Sequence, residues 1–158
     1  MPQNAVLVLG IGNPILTDDA IGILVAREIS NRGFPGVDVE EVSASGIEIM
    51  EMMLDHSKVI IIDAIKLPDR KPGEIMRLGE EDFTATVHGS SPHGVNLSTA
   101  IALGRQITPD RMPGEIVFFA MQAEDVSTFH EGTTSSISKM LPKLVSIVER
   151  EVLSAPSK

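Results

Sequence analysis

The chain carries two adjacent carboxylates, Asp18 and Asp19, directly after an apolar run and a glycine-containing loop, and a third, Asp63, directly after a run of isoleucines. Two histidines, His88 and His93, fall in the polar stretch Val87-His-Gly-Ser-Ser-Pro-His-Gly94. Two carboxylates and one imidazole make a donor set suited to a borderline divalent ion such as nickel, zinc or cadmium, with coordination positions left open. That chemistry requires Asp19, Asp63 and one histidine to meet at a single place. Spacing alone does not choose between His88 and His93.

The elements that would bring them together follow from hydrophobic periodicity. Residues 5–9 are continuously apolar, the pattern of a strand buried on both faces in a helix-covered parallel sheet. The glycine loop spans 10–17, and Ile21, Leu24, Val25 and Ile29 recur at helical spacing over 18–31, closed by Gly33 and Pro35. Residues 37–42 alternate as a strand, 47–54 read as a short Met- and Glu-rich helix whose methionines serve core packing, and 59–63 form the next apolar strand. The order is β-α-β-α-β. Residues 74–78 read as a strand antiparallel to its predecessor, because the turn at 69–73 is too short for a crossover helix. Residues 79–94 read as irregular, 95–107 as a helix, 115–121 as a strand, and 137–152 as a long amphipathic helix that Pro142 should kink or split.

The expectation is therefore an α/β fold, a mostly parallel twisted sheet of about five strands with helices on both faces, forming one domain over 1–158. In such a sheet the ligand crevice lies at the carboxyl ends of the strands, the edge that Asp19 and Asp63 would share.

Each candidate also has a structural alternative. Asp18 and Asp19 can cap a helix and complement its dipole, and Asp63 can serve as an N-cap or turn residue. His56 and His130 sit beside charged residues and are expected to be solvated. The serines near 43–45 and 90–91 lack the Gly-x-Ser-x-Gly elbow of a serine hydrolase.

Composition excludes several classes. The chain has 13 Lys and Arg against 22 Asp and Glu, a formal charge of -9, which repels a nucleic-acid backbone. No cysteine is present, so disulfides, thiolate ligands and a cysteine nucleophile are absent. No apolar run approaches the roughly 20 residues of a membrane helix, and Met1-Pro-Gln-Asn4 lacks the basic start of a secretory signal. The expected address is cytoplasmic.

Taken together, Gly10-Ile-Gly-Asn-Pro-Ile-Leu-Thr-Asp-Asp-Ala-Ile-Gly22, Ile60-Ile-Ile-Asp-Ala64 and Ser91-Pro-His-Gly94 resemble the hydrogenase maturation endopeptidases. Members of that family remove a C-terminal extension from the large-subunit precursor of [NiFe] hydrogenases after nickel insertion. The resemblance implies that Asp19, Asp63 and His93 are the catalytic and metal-contacting residues. It also implies that the nickel arrives with the precursor, so no permanently bound cofactor is expected. The segment Glu41-Val-Ser-Ala-Ser-Gly46 departs from the Asp-Gly-Gly-Thr-x-Gly pattern of many members, at a place associated with substrate choice.

Two rival readings remain open from the sequence. Gly10-Ile-Gly-Asn-Pro14 also resembles the start of peptidyl-tRNA hydrolases, although the Tyr and Thr-Arg-His-Asn segments of that family do not follow. A nucleotide-binding regulatory module would use Gly10 and Gly12 as a phosphate loop, but Ile15 stands where the fingerprint needs a third glycine, and two aspartates face the phosphate.

Overall fold

The computed structural model describes residues 5–43, 46–87 and 94–154. Five strands form one sheet: β1 (Val6–Ile11), β2 (Val37–Val42), β3 (Lys58–Ile65), β4 (Ile75–Leu78) and β5 (Glu115–Gln122). Their spatial order is β2-β1-β3-β5-β4. The pairs β1–β2, β1–β3 and β3–β5 are parallel, and β4 runs antiparallel to β5. The helices are α1 (Ile21–Arg32), α2 (Gly46–Met53), α3 (Glu80–Val87), α4 (Gly94–Ile107) and α5 (Ser135–Leu153). The α/β fold with a mostly parallel, five-stranded sheet is thus as expected.

The continuous apolar strands are explained by two cores. Side chains alternate across a strand. Leu7, Leu9, Ile11, Val59 and Ile61 face α2, α3 and α4, where they meet Ile49, Met53, Phe83, Leu97 and Ile101. Val6, Val8, Ile60 and Ile62 face the opposite layer, α1 and α5, with Val25, Ile29, Leu144 and Val148. Each fully buried Ile or Leu contributes about 2 kcal/mol relative to exposure. Met50 and Met53 lie in the first core, as the packing reading of the methionines requires.

Four expectations need correction. Residues 79–94 are not irregular throughout, because Glu80–Val87 is helical. Its three leading acids complement the helix dipole, and Phe83 stacks on Phe118 with ring centroids 3.9 Å apart. Strand β4 is antiparallel, but its partner is β5, which slots between β3 and β4. Pro142 does not split the last helix, which runs unbroken through it. Buried residues on both sides of the proline, Ile137, Leu144, Val145, Val148 and Val152, hold α5 on the sheet and override the missing hydrogen bond. His56 is not solvated: it is 5% exposed, with Nε2 2.9 Å from Asp38 Oδ2. None of the helices among the described residues is long and apolar enough to cross a membrane.

Candidate active site at the carboxyl edge

The chain leaves β1 to form β2 on one side and then returns to form β3 on the other. That reversal makes the gap between β1 and β3, at their carboxyl ends, the topological switch point of the sheet. Both candidate aspartates border it. Asp63 lies in β3, one residue beyond the paired Gly10 and Ile62, and is 2% exposed. It shares strand parity with Ile61 and Ile65, whose side chains belong to the core under α2 and α4. Its Oδ1 accepts the N–H of Ala64 at 2.9 Å. The strand continues two residues further than expected, so Asp63 sits within β3 and neither caps a helix nor makes a turn.

Asp19 lies in a short 3-10 helix, Thr17–Ala20, that precedes α1 and packs against β3. It is also 2% exposed. Glycines set how low this turn rides on the sheet. A Cβ on Gly22 would fall 2.3 Å from the Ile62 carbonyl oxygen and 2.4 Å from that of Ile11. A Cβ on Gly10 would fall 2.1 Å from the Gly22 carbonyl oxygen. Only hydrogens at both places let the start of α1 lie directly on β1 and β3, which brings the Asp19 turn down to the switch point. Gly12 completes the loop, donating its N–H to Val42 O at 3.0 Å and accepting the Ser43 hydroxyl at 2.9 Å. These glycines shape a turn rather than cradle a phosphate.

Asp18, adjacent to Asp19, has a different task. It is wholly buried, and its carboxylate accepts N–H groups of Glu124 at 2.9 Å, Asp125 at 3.0 Å and Thr134 at 2.8 Å, together with the Thr134 hydroxyl. It does not cap its own helix, the structural alternative open to it from the sequence. Instead it fastens the β5–α5 loop to the start of α1. Thr17 beside it has φ of 53°, a left-handed conformation that costs a β-branched residue about 1–3 kcal/mol. The strain is held by hydrogen bonds from Thr17 N–H to His130 O and from the Thr17 hydroxyl to Thr128 O.

His88 and His93 lie outside the described residues. Gly94, which follows His93, opens α4, and the first turn of α4 meets α2: a Cβ on Gly46 would be 2.3 Å from the Asn96 carbonyl oxygen. Since α2 follows β2, the chain enters α4 at the carboxyl edge, on the Asp63 face of the sheet. Among the described residues, no three His, Cys, Asp or Glu side chains gather closely enough to hold a metal. His130 is exposed and contributes only backbone, in a bridge to Leu16. Beyond the expectation that His130 is solvated, the β5–α5 loop drew no reading from the sequence; its turn-forming Gly132, just beyond the carboxyl end of β5, was the available signal.

An open groove of about 800 Å³, floored by Ile75, Phe119, Met140 and Ile147, runs between β4 and α5, away from these aspartates. Asp19 and Asp63, both 2% exposed, border the switch point and not this groove.

Fold and edge together define a doubly wound α/β protein with two buried carboxylates at its switch point. The sequence profile described as hydrogenase maturation protease matches residues 23–151. The chain belongs to this family and is an endopeptidase. The matched span contains Asp63 and His93 and begins four residues after Asp19. Among relatives, the Hydrogenase 2 maturation protease of Escherichia coli K12 is 28% identical over 139 residues, covering 86% of this chain and 83% of that protein. The structure of the E. coli hydrogenase maturating endopeptidase HybD superposes with a TM-score of 0.80 at 26% identity, over 93% of this chain and 91% of that one. The [NiFe] hydrogenase maturation protease HybD of Thermococcus kodakarensis shares the fold, with a TM-score of 0.78 at 23% identity over 92% and 97% of the two chains. The peptidyl-tRNA hydrolase and nucleotide-module readings give way to this membership.

Proposed function

We propose that this endopeptidase removes the C-terminal extension of a [NiFe] hydrogenase large-subunit precursor once nickel has been inserted, and that Asp19, Asp63 and His93 meet the nickel of that substrate. What supports the reading is the burial of Asp19 and Asp63 beside the β1–β3 switch point, with His93 one residue before the helix that starts on the same edge. Two carboxylates and one imidazole form a donor set that a precursor-borne divalent ion could accept during docking, and an apo precursor would present no such ion. The metal stays part of the substrate, and the protease needs no resident cofactor.

In the proposed reaction, water adds to the scissile carbonyl carbon, the C–N bond breaks, and the departing amine takes up a proton. A carboxylate of the pair, Asp19 or Asp63, takes the proton from water as general base. When bound by these residues, the substrate's nickel could orient the scissile amide, polarise its carbonyl or activate the water. The histidine and carboxylates hold the precursor in register with it.

The test uses purified, nickel-loaded precursor and follows the shortened large subunit by mass. Asp63→Asn and His93→Ala should each abolish processing while the variants keep the wild-type circular dichroism spectrum. Cleavage at wild-type rate by both variants would move the site elsewhere.

A further inference from the structure

The loop between β5 and α5 is fastened far more firmly than a connection requires. Asp18 takes three backbone N–H groups and one hydroxyl from it, and the Asp18 N–H donates to Asp125 O at 2.9 Å. Within the loop, the Asp125 carboxylate accepts the N–H groups of Ser127 at 2.9 Å and Thr128 at 3.0 Å. The loop is also zipped to the glycine loop after β1: Thr17 N–H donates to His130 O at 3.1 Å, and His130 N–H donates to Ile15 O at 2.9 Å. At the outer end of this frame stands Phe129, 77% exposed, with Ile15 beside its neighbour and 50% exposed. A scattered exposed Leu or Phe needs no explanation. A phenyl ring held out by a stiff, strained frame is different, because the ordering entropy of a binding anchor has been met before the partner arrives.

The frame also says where the anchor sits. The Thr17 that locks onto His130 and Thr128 belongs to the same 3-10 helix as Asp19, so Phe129 is tied to the turn that carries a proposed catalytic carboxylate. An endopeptidase must receive a polypeptide at that edge. The loop carries Glu124, Asp125 and Glu131 and no Lys or Arg of its own, and although Lys66 donates to the Glu124 carbonyl the balance stays acidic, which disfavours an anionic membrane surface and favours a basic rim on the partner.

Resting on the proposed function, we infer that Phe129, flanked by Ile15, is a docking anchor that enters an apolar pocket ringed by basic residues on the folded protein substrate, aligning its cleavable tail with the Asp19–Asp63 edge. Phe129 touches no reacting atom and acts as a specificity-determining and positioning residue.

The experiment measures processing of nickel-loaded precursor by wild type, Phe129→Ala and Phe129→Leu. For Phe129→Ala, KM should rise tenfold or more, kcat should stay within twofold, and Tm should be unchanged because the ring is in solvent. Phe129→Leu should recover most of the loss in KM. An unchanged KM in Phe129→Ala overturns the inference, as does a lost kcat with unchanged KM. Light scattering of the protease alone checks the competing occupant: a wild-type dimer that Phe129→Ala converts to monomer, with KM unchanged, would assign the ring to self-association and overturn the inference. If wild type cleaves no precursor at all, the function reading fails separately. Binding of precursor to immobilised wild type and Phe129→Ala then still decides the anchor: tenfold weaker binding by the variant supports it, and equal binding overturns it.

Discussion

Two neighbouring aspartates, both buried, are assigned opposite duties, and Asp18→Ala separates them. Asp18 accepts four hydrogen bonds from residues 124, 125 and 134, at 2.8–3.0 Å for the three backbone donors. A hydrogen bond to a charged group is worth about 1.5–3 kcal/mol, so simple addition would give roughly 6–12 kcal/mol. Addition overstates the loss, because Glu124 is exposed and Asp125 and Thr134 are half-buried, so water can reach their donors once the carboxylate is gone. The expected destabilisation is about 3–5 kcal/mol, the range for removing one side of a buried charged network. In a domain of this size that lowers Tm on the order of 10 °C. Urea unfolding at neutral pH measures the free energy, and amide hydrogen exchange should show Asp125 and Thr134 losing protection before the sheet does. Asp18→Asn, which keeps one acceptor but no charge, should fall between. A loss below about 1 kcal/mol for Asp18→Ala, or unchanged protection at both amides, would refute the assignment of Asp18 as the fastener of this loop.

Further outcomes follow from other parts of the fold. Glu151 receives Arg77 Nε at 2.8 Å and Lys58 Nζ at 2.6 Å, and the Arg77 hydrogen bond leads in holding its carboxyl down from 4.5 to about 2. Its pKa is lowered in the folded state, so the stability it adds is complete above about pH 4.5 and is lost as pH falls towards 2. Screening at the sheet rim leaves about 1–2 kcal/mol of this. In Glu151→Gln, chemical denaturation should show a shallower decline across that window; an unchanged slope would contradict the pairing. Pro142→Ala should stabilise the protein by about 1–3 kcal/mol, because α5 is already continuous and the alanine restores an N–H donor to the helix. A Tm that stays level or falls would show that the proline relieves some other constraint.

How much of this was readable in the sequence depends on the range of the interactions involved. Strands β1, β3 and β5 announce themselves because they are buried on both faces and carry little but apolar residues. Asp63 stands out for the same reason, as one carboxylate after four apolar residues. The spacing of Gly10 and Gly22 was visible, although its purpose, close contact of β1, β3 and α1, needs the three-dimensional packing. Helix α3 was illegible because a single buried aromatic, Phe83, carries its packing. The role of Asp18 was illegible for a related reason: its partners lie 106 to 116 residues away, and no local pattern reports a contact across that span. His56 likewise looked solvated among charged neighbours, yet the hydrogen bond that settles its place comes from Asp38 on β2. Local periodicity finds elements and isolated charges. It does not find which distant donors a buried charge has collected.

In the proposed function the protease reads a metal carried by its substrate through the carboxylates at the β1–β3 edge. The most direct measurement compares cleavage of one purified large-subunit precursor in nickel-loaded and nickel-free form by the same protease preparation. The shortened subunit should appear from the loaded form alone, with Asp19→Asn inactive towards both forms. Equal cleavage of the two forms by the wild-type enzyme would contradict that function.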